Sequence, residues 1–305
     1  MPYSFPNYPL KTEMPVLPST SIITAKVIAD SYYTNLHLHR ATTLELEFPR
    51  FILAELNTHR VFSKNASSSR AIPTLKQIDV IQKAPVFPVR WGKNQPGMRA
   101  SQDNLSEEDQ QEANRIWMEM VNAVAEGCKK LTALGVHKQW ASRPLEWAST
   151  IKVVLTGTTF ENFFHLRDHP DAQDEMIYLT QAVKTALNES TPKELKQGEW
   201  HLPYVSEEEF RTLGLNNALA VSASRCARTS YKTHHGVTST LEDDLALFKK
   251  LTYGMDIDNE DNPFHASPME HQLTPSIYER PTLMSGNSLG WTQFRKLIEF
   301  KQYSI

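Results

Sequence analysis

Residues 58–70 gather groups that could hold an anion and a heterocycle side by side: the guanidinium groups of Arg60 and Arg70, the imidazole of His59, the hydroxyls of Thr58, Ser63, Ser67, Ser68 and Ser69, and the amide of Asn65. A guanidinium fork matches two phosphate oxygens at once, and hydroxyl and backbone N–H groups fill the acceptor sites left over. The same residue types also make a solvated helix end and a serine-rich turn, so composition alone leaves both readings open. Two further stretches carry polar groups at fixed spacing. One is Asn162-Phe163-Phe164-His165-Leu166-Arg167, followed by Asp171-Ala172-Gln173-Asp174-Glu175-Met176. The other pairs Ala227-Arg228-Thr229-Ser230-Tyr231 with His265-Ala266-Ser267-Pro268-Met269-Glu270-His271.

Other chemistries lack their parts. His37 and His39 would share a strand face, but no third metal ligand accompanies them, and His234-His235 reads as loop. The acidic run 256–261 has no glycine at the sixth position of a calcium loop and Ser267 at the twelfth, so no metal is expected. Cys128 and Cys226 make neither a disulfide framework nor a zinc site and are read as packing thiols. No Gly-x-Gly-x-x-Gly or Walker-type loop is present, which disfavours Rossmann and P-loop enzymes.

The elements that must position these groups are legible in outline. Residues 22–29 and 42–48 are β-branched and alternating, as strands require. Pro49 suits the start of a helix over 50–59, which delivers His59. Residues 71–104 hold several prolines and read as irregular; 105–134 reads as a long helix with an acidic start. Residues 147–156 fit helix or strand. Thr158-Thr159 is expected to cap the helix carrying Asn162 and Arg167, and Pro170 to open the next one, 171–187. Further helices are expected over 216–229, 241–251 and 291–300. Residues 1–20 read as an extended, proline-rich arm, and 21–305 as a single catalytic domain with a possible internal boundary near 188–215.

At 305 residues the chain can bury a substantial core, and a net charge of −3 argues against a partner that is a nucleic-acid polymer. There is no cationic head followed by an apolar run and no segment long enough to span a bilayer, so a cytoplasmic protein without membrane contact is expected.

The three motif blocks together resemble the flavin-dependent thymidylate synthases. His59, Arg60, Ser63, Asn65, Ser68 and Arg70 stand at the spacing of that family's Arg-His-Arg signature and the Ser-x-Arg that ends it. The second block resembles Asn-Phe-x-x-Leu-Arg with Ala-Gln-x-Glu-Ile, and the third resembles Ala-Arg-Val-Ser-Tyr with His-x-Ser-Pro-Phe-Glu-His. The resemblance implies an α/β (α+β) fold with a mixed, mainly antiparallel sheet flanked by helices, assembled as a homotetramer. It implies FAD, NADPH and methylenetetrahydrofolate as cofactors, and methylation of dUMP to dTMP, the reduced flavin supplying hydride. Arg167 then matches the arginine at the pyrimidine. Thr58, His59, Arg60, Asn162 and Ser267 match flavin positions, and Ser67, Ser68, Ser69 and Arg70, with Arg167, nucleotide positions. A nucleophilic cysteine is not part of this chemistry.

The chain departs from the pattern in order and in content. The third block comes last rather than first, so residues 268–271 are expected beside the strand near 42–48. The first arginine of Arg-His-Arg is Thr58, the glutamate after Asn65 is Ala66, the glutamine ahead of the motif is Glu55, and a further arginine falls at Thr150. Arg143, Lys152, Arg225 or Arg228 could restore the charge. These departures keep open a flavin- and folate-dependent pyrimidine nucleotide hydroxymethylase or dCMP methylase, and, in another class, a non-catalytic nucleotide-binding protein.

Overall fold

Alternation in the second strand sets up the core. In β2 (Leu38–Pro49), Leu44, Leu46 and Phe48 are buried while Glu45 and Glu47 are only partly so. β2 pairs antiparallel with β4 (Thr150–Gly157), which places Leu44 opposite Leu155, Leu46 opposite Val153 and Phe48 opposite Ile151. Successive side chains point to opposite faces, so one face of this pair is continuous hydrocarbon. The computed structural model describes residues 6–14, 22–34, 38–229, 239–252, 265–277 and 282–300. His37, Tyr231, His234, His235 and the acidic run 256–261 lie outside them.

The sheet has five strands in the order β3-β4-β2-β1-β5, with β1 (Thr24–Thr34), β3 (Ser63–Ala66) and β5 (Lys193–Glu194) completing it. All pairings are antiparallel except β1 with β5. The fold is therefore α+β on a mixed, mostly antiparallel sheet. Two helices cover its apolar face: α5 (Glu161–Arg167) brings Phe163 and Phe164, and α6 (Asp174–Glu189) brings Met176, Leu179, Val183 and Leu187. Each such side chain contributes roughly 1.5–3 kcal/mol on burial. Residues 6–14 run over this layer, tied to Asp168 through the Lys11 and Thr12 N–H groups and to Lys184 through the Pro9 carbonyl.

Between β2 and β3 a short 3-10 turn leads into α1 (Leu53–Thr58). A second packing unit joins α2 (Thr74–Lys83), α3 (Glu107–Ala133) and the 3-10 segment Arg143–Ala148 around Ile78, Val121, Cys128 and Leu145. α4 (Lys138–Ala141) links α3 to that segment. The chain then adds α7 (Glu207–Ala227), kinked at Gly214, where φ is 69°, and α8 (Leu241–Thr252). β6 (Leu273–Pro275) pairs with β7 (Trp291–Gln293), and α9 (Phe294–Glu299) follows directly. No described helix is long and apolar enough to cross a membrane, and the described residues hold no group of three or more His, Cys, Asp or Glu able to bind a metal.

Several expectations need correction. Residues 71–104 are not wholly irregular: α2 forms because Thr74, Ile78 and Ile81 recur on one buried face. The ambiguous stretch 147–156 resolves into the end of a 3-10 segment and β4. Thr158 does not cap α5; Phe160 is the N-cap, and the Thr158 hydroxyl accepts from the Leu289 N–H instead. Pro170 lies ahead of α6, whose N-cap is Gln173. Residues 291–293 are strand rather than helix, since Trp291 to Gln293 are all buried and no exposed face remains for an amphipathic turn.

Candidate active site

α1 ends at Thr58, and its C-cap His59 turns the chain toward β3. α5 ends at Arg167, so both helix ends bring their polar residues to one place. Arg167 donates from Nε to His59 Nε2 (3.0 Å), from Nη1 to Glu55 Oε2 (3.0 Å) and from Nη2 to Thr58 Oγ1 (3.2 Å). A guanidinium carries five N–H groups, so the remaining Nη hydrogens are free to meet a ligand while the other three fix its plane. His59 is buried and accepts from an arginine, so it is neutral with its proton on Nδ1. Burial, then Arg167, then Lys64 push its pKa down to about 4.

This geometry explains two departures together. Relative to the family pattern, one positive charge is gone at Thr58 and one negative charge is gained at Glu55, and both side chains accept from Arg167. Two of the three groups that hold the guanidinium are therefore residues that differ.

Past His59, Phe62 packs edge-on to Phe163 (5.5 Å between ring centroids), and β3 follows. Lys64 turns back to donate to the Leu56 (3.1 Å) and His59 (2.8 Å) carbonyls. Burial lowers its pKa to about 8. Lys64 lines a cleft of ≈ 420 Å³ with Arg60, Asn287, Gln293, Arg295 and Lys296, among others. Arg295 pairs with Glu270 and Glu299, and Lys296 with Glu299, whereas neither Arg60 nor Lys64 has a carboxylate partner among the described residues. The cleft is therefore cationic on balance.

Asn65 points the other way. Its Nδ2 donates to Ser267 Oγ (3.2 Å), and its Oδ1 meets His271 Nε2 (2.9 Å), so the last motif block sits on the first. His271 also reaches Thr156 of β4, which bonds Thr43 of β2 (2.6 Å), so the last block meets the expected strand through one intervening side chain. Glu270 and His271 are not paired with each other: Glu270 faces Arg295, and His271 is buried and neutral.

The serine-rich turn builds a separate cleft of ≈ 390 Å³, lined by Ser67, Ser69, Arg50, Gln77, Thr150 and Lys152, among others. Ser67 Oγ accepts from the Lys152 N–H (3.2 Å). Ser69 donates to Glu146 (2.5 Å), a carboxylate that also takes Arg50 (3.2 Å) and Arg143 (2.9 Å). Ser68 and Arg70 do not line this cleft, and Arg70 is exposed. Asn162 is exposed on α5 and is not among Arg167's partners. Of the proposed substitutes for missing charge, Lys152 lines the cleft, paired with Glu47 (3.3 Å), while Arg143 is held by Glu146. Arg225 and Arg228 are both taken by the buried Asp244. Sequence reasoning missed Arg50, Lys64, Arg295 and Lys296. Only Lys64 left a signal, as the cation inside a short strand.

The comparison that decides the family is one of sequence. Residues 24–193 match the family Thy1, "Thymidylate synthase complementing protein". The chain belongs to the Thy1 family of flavin-dependent thymidylate synthases. The Thy1 match covers the first two motif blocks and the whole five-stranded sheet up to the first residue of β5; the third block and α7 to α9 lie beyond it. Among solved structures, the chain is similar to a UMP/dUMP methylase PolB from Streptomyces cacaoi bound with 5-Br UMP, at 18% identity, covering 55% of this chain and 89% of that one, with a TM-score of 0.44. It is also similar to the flavin-dependent thymidylate synthase ThyX from Helicobacter pylori complexed with FAD and dUMP, at 16% identity, covering 48% and 67%, with a TM-score of 0.34. Comparison with curated proteins gives no match.

Proposed function

We propose that this Thy1 protein is a flavin-dependent pyrimidine nucleotide methylase that converts dUMP to dTMP, with methylenetetrahydrofolate as carbon donor and NADPH as reductant. The observation that carries the reading is the junction at Arg167, where two hydrogen bonds join the second motif block to the first, at His59 and Thr58, and a third goes to Glu55 just ahead of it. A preorganised guanidinium with free N–H groups favours negative charge building on a pyrimidine ring. His59, kept neutral, holds that guanidinium without competing for the anion.

The residues fit a flavin dinucleotide. The cleft lined by Arg60, Lys64, Arg295 and Lys296 suits a diphosphate, because two of its cations lack carboxylate partners. By the resemblance, His59, Arg60 and Ser267 would hold the cofactor, with Thr58 acting on Arg167 rather than on the flavin. When bound, FAD supplies the hydride chemistry. The chain's own residues bind, orient and shield. By the resemblance, the cleft of Ser67, Ser69, Arg50 and Lys152 would take the nucleotide phosphate, for which Arg50 and Lys152 would have to turn from their present partners Glu146 and Glu47. Ser68, half-buried, and Arg70, exposed, suit the same nucleotide across a subunit boundary in a homotetramer, and Asn162 would meet flavin in the same way.

A second reading has its own support. Glu55 and Thr58 lower the positive charge around Arg167, which favours a changed pyrimidine or product: a dCMP methylase or a hydroxymethylase. The test is product mass after incubation with FAD, NADPH and methylenetetrahydrofolate, with dUMP and dCMP in parallel. A methyl on dUMP establishes the first reading; a hydroxymethyl adduct, or turnover of dCMP alone, establishes the second. Colourless protein unable to take up FAD refutes both and leaves a nucleotide-binding protein.

A further inference from the structure

A single chain of hydrogen bonds crosses the interior behind Ser267. Ser31 Oγ meets His201 Nδ1 (2.9 Å), and His201 Nε2 meets Thr43 Oγ1 (2.8 Å). Thr43 Oγ1 meets Thr156 Oγ1 (2.6 Å), and Thr156 Oγ1 meets His271 Nδ1 (2.8 Å). His271 Nε2 then meets Asn65 Oδ1 (2.9 Å), whose Nδ2 donates to Ser267 Oγ (3.2 Å). Ser31, Thr43, Thr156, His201 and His271 are all buried, and only Ser267 is exposed. The register of the sheet makes the link possible, since Thr43 and Thr156 are direct partners across β2 and β4.

The two ends differ. Ser31 lines a cleft of ≈ 500 Å³ beside Trp200 and Phe210, on the side of the sheet edge formed by β5. Ser267 is exposed at the start of the last motif block's 3-10 turn, beside Asn65, and is not among the residues lining the cleft of Arg60 and Lys64. Thr43, Thr156 and His201 belong to none of the motif blocks.

One group fixes the direction of the whole chain. A carboxamide oxygen only accepts, so His271 must donate from Nε2 to Asn65. Burial keeps both imidazoles neutral, lowering the pKa to about 4 for His201, against the opposing pull of Asp30, and to about 3 for His271, where a proton on His201 would lower it further. A neutral ring with its proton on Nε2 leaves Nδ1 as an acceptor, so Thr156 donates to His271. Thr43 then donates to Thr156, His201 Nε2 donates to Thr43, and Ser31 donates to His201 Nδ1. Every bond points from Ser31 toward Ser267, and aligned hydrogen bonds polarise one another. The chain transmits orientation and not protons, because its last link is an amide whose oxygen is too weak a base to be protonated in passing.

We infer that His201, Thr43, Thr156 and His271 are positioning residues that make the Ser267 hydroxyl a hydrogen-bond donor toward a carbonyl or phosphate oxygen of the bound dinucleotide. Ser267 Oγ already accepts from Asn65, which leaves its own hydrogen available to a ligand oxygen. The inference rests on the flavin reading of Ser267 for its ligand, and on geometry alone for its polarity.

The test has two arms. Long-range ¹H–¹⁵N correlation on uniformly ¹⁵N-labelled protein near neutral pH should show His201 and His271 as neutral rings protonated at Nε2. Rings protonated at Nδ1 would mean that the chain runs the opposite way, and a charged ring would break it; either result overturns the inference. The second arm titrates FAD by fluorescence. Thr156→Val should weaken binding about fivefold, one hydrogen bond's worth, and Thr156→Ser should restore it. Thr43→Val gives the same reading if Thr156→Val does not fold. Ser267→Ala should match the Thr156→Val loss, and the double variant should be no worse than Ser267→Ala alone. Additive losses, or unchanged affinity in Thr156→Val, overturn the positioning role. If the wild-type protein takes up no FAD, the flavin reading and the donor role of Ser267 both fall, while the ring spectra still decide the polarity of the chain.

Discussion

Glu55→Gln is the sharpest perturbation of the Arg167 junction. It restores the amide that the flavin-dependent thymidylate synthases carry at this position, keeps the acceptor oxygen near Nη1, and removes one negative charge. The Glu55–Arg167 contact is 3.0 Å, with the two side chains 35% and 20% exposed, so solvent screens the pair in part. A hydrogen bond between charged groups contributes roughly 1.5–3 kcal/mol and a neutral one roughly 1 kcal/mol, so with screening the exchange forfeits about 1 kcal/mol. The urea midpoint should fall by a corresponding small amount. The same quantity reappears as freedom of the guanidinium to engage a competing acceptor. Calorimetric titration of the FAD-loaded protein with dUMP should therefore show affinity rising about fivefold, since 1.4 kcal/mol is tenfold. Glu55→Ala removes the acceptor altogether, lets the guanidinium swing, and should weaken binding. If Glu55→Gln binds dUMP no better than wild type while its stability falls as expected, Arg167 does not meet the nucleotide and the reasoning fails.

Arg167→Ala should abolish turnover, read as product mass, while FAD fluorescence titration shows binding retained; undiminished turnover would remove Arg167 from the chemistry. Removing that charge should also raise the His59 pKa, readable in the same ¹⁵N spectra, because Arg167 is one of the groups that lowers it. Stability should fall as the pH drops from the ordinary histidine value of 6.5 toward 4. His59, His201 and His271 refuse protons that the unfolded chain accepts in that window, so unfolding takes up as many as about three protons; urea midpoints measured across the window check this, and a flat profile contradicts the buried neutral rings. Lys184→Met should cost about 3–5 kcal/mol, because it leaves Asp168 buried beside an uncharged neighbour. The wild-type pair stands at 2.5 Å with side chains 2% and 0% exposed. Its loss should also open the Lys11–Thr12 bond to trypsin, since Lys184 and Asp168 both hold residues 9–12; an unchanged digestion rate would show the arm is held elsewhere.

The parts of the site that were legible in the sequence are those whose side chains act within one motif. His59 and Arg167 stand out by type and spacing, and the strands that frame them alternate strongly enough to be read. What brings them together is not written locally. Glu55 looked like a lost glutamine until its carboxylate was seen on Arg167, because a departure from a pattern shows what is missing and not what replaced it. Arg50 follows Pro49 at the end of a strand, and nothing nearby in sequence announces that Glu146 and Ser69 will meet it. The polarised chain was invisible for a different reason: it depends on Thr43 and Thr156 falling opposite one another, and a one-residue slip of either strand would put their hydroxyls on opposite faces of the sheet. α2 was missed by weighing the surrounding prolines above a clear helical spacing of Thr74, Ile78 and Ile81.

The displaced third motif block has a consequence for how the protein comes into being. β1 and β2 form a hairpin between neighbours in sequence, and the sheet up to β4 closes by residue 157. Asn65 meets Ser267 and His271 across 202 and 206 residues. Contacts of such separation are entropically the last to form, and on a ribosome they must wait for the far end of the chain to emerge. Half of the cradle is thus made early and stands open, and competence to hold a ligand arrives in one late step when the 265–277 segment docks. A ligand that binds only the closed form then acts as the latch of that step, adding its binding free energy to the final docking and none to the sheet beneath it.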